Sequence, residues 1–175
     1  VFLPIVIIGN FILSIIGFKS EETRIKAKNM FLLISSLIFY AWGEVNYLFI
    51  MLGSILLNYI GGRIVGGTKN YKKCKLSLII VLNLGILFVF KYFNFAMESL
   101  AALARLIAIP LQPVTLKLLL PLGISFYTFQ TMSYTIDVYR GNAKAEKNLA
   151  SFATFVCLFP QLIAGPIVRY TDISA

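Results

Sequence analysis

Six aliphatic hydroxyl and amide side chains, Ser125, Thr128, Gln130, Thr131, Ser133 and Thr135, sit in a stretch without charge from Leu118 to Ile136. The stretch ends on Asp137. On a helix, Gln130, Ser133 and Asp137 fall on one side, and Thr128, Thr131 and Thr135 on nearly the opposite one. Such groups can orient a polar substrate, and a carboxylate among them can act as an acid or relay a proton. Each also has an ordinary structural use. Asp137 stands three residues before Arg140, a spacing that suits a local ion pair at a helix end. A buried amide such as Gln130 commonly bonds helix to helix.

A second group lies in Phe159-Pro-Gln-Leu-Ile-Ala-Gly-Pro-Ile-Val-Arg-Tyr170. Pro160 and Pro166, with Gly165 before the second, remove two backbone donors and free nearby carbonyls. In a bilayer, irregular backbone persists only where it is buried in protein or lines a wet cavity. One reading is a broken or re-entrant segment beside a substrate path, with Gln161 supplying hydrogen bonds and Arg169 a fixed positive charge at its mouth. The other is a proline kink next to an interface, and spacing alone does not choose between them.

The elements that must position these groups are apolar. Hydrophobic residues make up 59% of the 175, charged residues 13%, and mean hydropathy is +0.85. A soluble surface needs more charge than that, so the composition predicts an integral membrane protein. The net charge of +9 comes from loops between apolar runs, which reads as topology control and contact with lipid headgroups. No basic face with interleaved aromatics suggests nucleic acid. Cys74 and Cys157 lie in unlike settings, a lysine-rich loop and an apolar run, so no disulfide is expected. There is no histidine, phosphate loop, Cys/His metal cluster or Ser-His-Asp set, so no self-contained hydrolytic or metal site is expected.

The pattern predicts an all-α polytopic transmembrane bundle of about six spans in a single domain over residues 1–175, with the proline-broken segment near its C-terminus. Val1 to Phe18 is the first run. Met30 to Ile60 is too long for one crossing of a core of about 30 Å. A turn at Gly43, beside Trp42 and Glu44, is therefore expected to divide it. Gly61-Gly62 and Gly66-Gly67 should end that helix. Leu76 to Ala96 carries only Lys91, placed to snorkel, and Met97 to Leu116, with Pro110 and Pro113, fits an interfacial helix followed by a turn. Pro121 opens the polar-striped span, Gly141 closes it, and Leu149 to Val168 is the last run. Asn58, Asn83 and Asn94 read as packing polars, and most aromatics as core and belt.

The loops around Lys19, Lys72 and Lys144 hold four, five and three of the sixteen Lys and Arg residues. Placed on one side, they fit cytoplasmic loops of a bacterial inner-membrane protein under the positive-inside rule. No cleavable signal peptide is visible. The start on Val1 and the stop after Asp172 without a closing element suggest a piece of a longer protein.

Leu120-Pro-Leu-Gly-Ile-Ser-Phe-Tyr-Thr-Phe-Gln130, Tyr134-Thr-Ile-Asp-Val-Tyr-Arg-Gly141 and Phe159 to Tyr170 together resemble the membrane-bound O-acyltransferase family, in its bacterial alginate O-acetyltransferase-like branch. Phe39-Tyr-Ala-Trp-Gly43 and the blocks Asn83-Leu-Gly and Phe90-Lys-Tyr-Phe-Asn94 look like earlier helices of that branch. The resemblance implies an enzyme that moves an acetyl or other acyl group from a cytoplasmic donor, acetyl-CoA or another thioester, to hydroxyls of an extracytoplasmic cell-envelope polysaccharide. It also implies membrane lipid around the bundle and a secreted or periplasmic partner that completes transfer. The family's catalytic histidine is expected in a later helix. The present residues would then be an N-terminal part, inactive alone, with no catalytic residue, no bound cofactor and no metal. Its substrate-path candidates are Gln130, Asp137, Pro160, Gln161, Gly165, Pro166 and Arg169. The alternative is a transporter or lipid-handling channel subunit, for which striped and proline-broken helices are equally natural.

Overall fold

The computed structural model describes residues 2–16, 20–67, 71–106, 114–116, 120–158 and 170, with Glu44 described by its backbone only. These residues form helices and connecting turns, with no strand among them. In chain order, α1 is Phe2–Ile15, α2 Glu21–Gly67, α3 Lys72–Leu87, α4 Phe93–Leu106, α5 Ile124–Arg140 and α6 Leu149–Cys157. A π-helical turn, Phe88–Tyr92, joins α3 to α4 without a break. α2 packs against α1, α3, α5 and α6, and α5 against α2, α3 and α6.

The expected turn at Gly43 is absent, and helix runs through it. No proline interrupts Glu21 to Gly67. A helical glycine costs about 1 kcal/mol relative to alanine, whereas a break orphans about four carbonyls and four amides. At 1.5 Å per residue the helix is about 70 Å long, more than twice a hydrocarbon core of about 30 Å. The count of six spans rested on that turn. Two helical stretches, Val45–Gly67 and Lys72–Leu106, are long and apolar enough to cross a membrane. Only 17% of the second stretch's most apolar part is buried inside the protein. A soluble core helix would have its apolar side chains covered, so the remainder calls for lipid or further protein.

Two other boundaries shift for the same reason. Gly61-Gly62 does not end α2, which continues to Gly67. Nor does a new helix start at Met97. Phe88 to Leu106 contains neither Gly nor Pro, so the helix continues through Ala96, the π turn absorbing one extra residue per turn. Pro110 and Pro113 lie outside the described residues. Lys91 falls in the π turn and is exposed, its Nζ 3.5 Å from Ser125 Oγ and 5.4 Å over the Tyr92 ring.

α5 is the central helix, with nine of its seventeen residues buried. Gly123 (φ 72°) opens it and Gly141 (φ 82°) closes it. At the closing end the Asn142 amide donates to the Asp137 carbonyl at 3.0 Å and the Gly141 amide to Val138 at 3.2 Å. This is a Schellman stop that only glycine adopts without strain. The α6 start is capped by Asn148, whose side chain accepts from the Ala150 amide at 2.9 Å. Tyr127, Tyr134, Phe152, Met51 and Ile124 fill the interior between α2, α5 and α6. Both cysteines are free, Cys74 exposed and Cys157 buried.

Candidate functional site

Two polar groups form inside this apolar frame, and α5 reaches both. The first is at mid-bundle. Asn58 on α2 and Asn83 on α3 exchange amide bonds, Asn58 Nδ2 to Asn83 Oδ1 at 2.8 Å and Asn83 Nδ2 to Asn58 Oδ1 at 3.0 Å. Their second amide protons go to backbone one turn back, Ser54 carbonyl at 2.9 Å and Ile79 carbonyl at 2.8 Å. Thr135 Oγ1 on α5 reaches Asn58 Oδ1 at 3.2 Å. All three side chains are fully buried. Each amide hydrogen is used, as an apolar surrounding demands. The group binds helices to one another, which is the packing role expected for Asn58 and Asn83.

The second group lies where α5 ends and the basic 141–148 turn begins. Tyr59 hydroxyl donates to the Lys147 carbonyl at 2.7 Å, and the Arg63 guanidinium lies 5.8 Å over the Tyr59 ring. The Glu146 amide donates to the Tyr134 hydroxyl at 2.9 Å. The Glu146 carboxylate accepts the Lys147 and Asn148 amides, each at 2.8 Å, and the Tyr170 hydroxyl. Tyr134 stacks 4.6 Å from Phe152 and 5.0 Å from Tyr170. Burial, and then the hydrogen bond to Glu146, push the Tyr170 phenol above its ordinary range, so it is a neutral donor. Tyr170 and residues Asn142 to Lys147 line a cleft of about 500 Å³.

This arrangement approaches Gly62 closely. A Cβ there would lie 2.6 Å from Tyr134 Cε1 and 2.8 Å from its hydroxyl oxygen. Gly62 and Gly66 thus form the small-residue face that lets α2 meet α5 and the 141–148 turn, Gly66 lying against Val138 and Ala145.

Among the residues singled out from sequence, Gln130 and Asp137 are both buried on α5. They do not form one site, being two turns, or about 10 Å, apart. Gln130 Nε2 donates to the Phe155 carbonyl at 3.1 Å, tying α5 to α6. Asp137 is 8% exposed and its Oδ2 has no hydrogen-bond partner. It makes no ion pair with Arg140, since the ion pairs among the described residues are Arg24 with Glu21 and Lys26 with Glu22. Asp137, Ser133, Arg140 and Asn142 share a smaller cleft of about 270 Å³. A buried oxygen without a partner at a cleft wall is suited to meet a donor from a ligand or another chain segment. Pro160, Gln161, Gly165, Pro166 and Arg169 lie outside the described residues. Tyr170, directly after them, is held by Glu146.

The cluster of Tyr59, Arg63, Tyr134, Glu146 and Tyr170 was not foreseen from sequence. Its members are spread over more than a hundred residues, and no spacing rule joins them. Glu146, an acidic residue between Lys144 and Lys147, was the one available signal. Among the described residues no group of His, Cys, Asp or Glu could hold a metal ion. What these side chains can do is bind, orient and hold a segment in place.

Over 152 residues the chain is 45% identical to a probable alginate O-acetylase of Pseudomonas syringae pv. tomato, covering 84% of this chain and 29% of the relative. A probable alginate O-acetylase of Pseudomonas putida is 46% identical over 151 residues, covering 83% of this chain and 30% of the relative. A peptidoglycan O-acetyltransferase of Helicobacter pylori is 31% identical over 197 residues, covering 98% of this chain and 36% of that protein. The chain therefore spans about a third or less of the length of the curated relatives it matches. No family model and no solved structure matches it. By sequence over most of its length, the chain belongs with the bacterial alginate O-acetylases, a branch of the membrane-bound O-acyltransferase family.

Proposed function

We propose that the whole protein is a membrane O-acetyltransferase that moves an acetyl group from a cytoplasmic thioester, acetyl-CoA or another, to hydroxyls of a cell-envelope polysaccharide outside the membrane. The observation that carries this reading is the 45% identity to an alginate O-acetylase over 84% of the chain. The buried polar side chains on α5 support it, because a bilayer helix carries such groups only where the protein uses them. In this reading the bundle is multi-pass in a bacterial inner membrane, with the Lys72 and Lys144 loops cytoplasmic and the Lys19 loop at the other end of α2. α2 makes one long traverse in place of two, which leaves about five crossings. These 175 residues contain no histidine, so the general base that takes the hydroxyl proton comes from elsewhere in the whole protein. The present helices supply scaffold and substrate path. A secreted or periplasmic partner receives the acetyl group or completes its transfer to the polymer.

The test uses the full-length protein in a strain whose envelope polysaccharide lacks O-acetyl groups. Restored ester acetylation is the expected result, and its absence at normal membrane abundance overturns the proposal. Arg169→Lys, Gln161→Ala and Asp137→Asn then separate path from scaffold. Lost acetylation with unchanged abundance places a residue on the path, and parallel losses of both place it in the scaffold.

A further inference from the structure

We propose that a cleft between the start of α3 and the end of α5 binds the headgroup of an anionic phospholipid. The cleft measures about 650 Å³ and is lined by Tyr71, Lys72, Lys73, Tyr139 and Arg140. Two helices distant in sequence thus bring three cations to one cavity with no carboxylate in its wall. None of the three makes an ion pair among the described residues. Nothing lining the cavity offsets their mutual repulsion, Asp137 lying in the neighbouring cleft on the other side of Arg140's turn, and a phosphodiester would relieve it. Arg140 adds a planar fork that matches two phosphate oxygens. Tyr71 holds a left-handed backbone (φ 56°), uncommon for a residue with a Cβ, and its side chain does not cap the first amides of α3 beside the lysines.

The rest of the surface selects a lipid over a soluble anion. Further along the same helices, Leu78 and Val81 of α3 and Phe126 and Phe129 of α5 are exposed. A ligand with a charged head and apolar tails satisfies both parts, whereas a free phosphate satisfies only the cations. The inference rests on α3 and α5 lying in a bilayer and is independent of acyl transfer, so a binding assay tests it apart from acetylation.

The experiment measures binding of fluorescent phosphatidylglycerol and phosphatidylcholine to the full-length protein in a neutral detergent. Each cation near a phospholipid surface contributes roughly fivefold in affinity. The expected results are a preference of at least about tenfold for phosphatidylglycerol and a loss of roughly a hundredfold in the triple variant Lys72→Gln, Lys73→Gln, Arg140→Gln. Lys28→Gln with Arg105→Gln, outside the cleft, should leave binding unchanged. Inorganic phosphate and pyrophosphate should not displace the lipid. Equal binding of the two lipids, or full binding by the triple variant, overturns the proposal. Displacement by pyrophosphate also overturns it, in favour of a water-soluble ligand. If the triple variant does not fold, Arg140→Gln alone is read, where a loss of about fivefold is expected and unchanged binding is refutation.

Discussion

Replacing Asn83 by Leu removes both bonds it exchanges with Asn58 while keeping a similar volume. Hydrogen bonds between membrane helices average about 0.6 kcal/mol and reach about 1.7, so the two direct bonds together contribute roughly 1–3 kcal/mol. The single variant loses these and strands part of the Asn58 amide in an apolar interior, which adds to the loss. Asn58 keeps its bonds to Ser54 and Thr135, and these limit the damage. Removing both partners leaves no stranded amide. The double variant Asn58→Leu, Asn83→Leu should therefore be at least as stable as the less stable single, with a coupling of roughly 1–3 kcal/mol. Unfolding of the full-length protein in mixed micelles, followed by helix content, measures all four corners of this cycle. Additive losses within about 0.5 kcal/mol would refute the reasoning, because uncoupled residues do not share hydrogen bonds.

Glycines on α2 should respond in opposite directions. Gly62→Ala pushes a methyl into Tyr134 and should destabilise by about 1–3 kcal/mol. Gly43→Ala meets nothing within 4 Å and should stabilise by about 0.5–1 kcal/mol, where a turn at this position would make it neutral or harmful; thermal unfolding reads both. Tyr170→Phe should lower stability near neutral pH by about 1–2 kcal/mol through its lost bond to Glu146. Because the folded phenol is held above its ordinary value of 10.0, its contribution is complete below that pH and is lost as pH rises past it. The gap between native and Tyr170→Phe proteins should therefore narrow from pH 9 to pH 11 in denaturant titrations. Gln130→Leu should weaken the α5–α6 contact by about 0.5–1.5 kcal/mol, measured as faster hydrogen exchange in α6.

The class of the fold was legible because apolar length and Gly punctuation are local properties. Gly123 and Gly141 bound α5 as their positions suggest, and the polar stripes on both sides of that helix identified it as central. The helix through Gly43 was not legible. Whether one glycine breaks a helix depends on what the flanking turns pack against, and Tyr40, Met51 and Ile55 on either side are buried against other elements. The same holds at Gly61-Gly62, where the glycines make room for Ile79 and Tyr134, partners that no local pattern announces. Of the candidate site, Gln130 took the interhelical role open to it. Asp137 did not take its Arg140 partner, and its carboxylate is buried at the wall of the smaller cleft. The tyrosine cluster around Glu146 depends on residues up to 111 positions apart, from Tyr59 to Tyr170, and only the folded bundle brings them together.

The paired asparagines also impose an order of assembly. Asn58 and Asn83 are 25 residues apart, and their four amide hydrogens are met by each other and by the Ser54 and Ile79 carbonyls, so an α2–α3 hairpin has no unsatisfied amide hydrogen at its centre before α5 is synthesised. Thr135 arrives 77 residues after Asn58 and only adds a hydroxyl, which also has the Thr131 carbonyl as its own acceptor at 3.2 Å. The two amides can therefore enter the membrane as a satisfied pair without waiting for α5. Cysteine pairs linking α2 to α3 should crosslink in nascent chains arrested before α5 emerges. If they crosslink only once α5 is present, docking is simultaneous and this order is wrong.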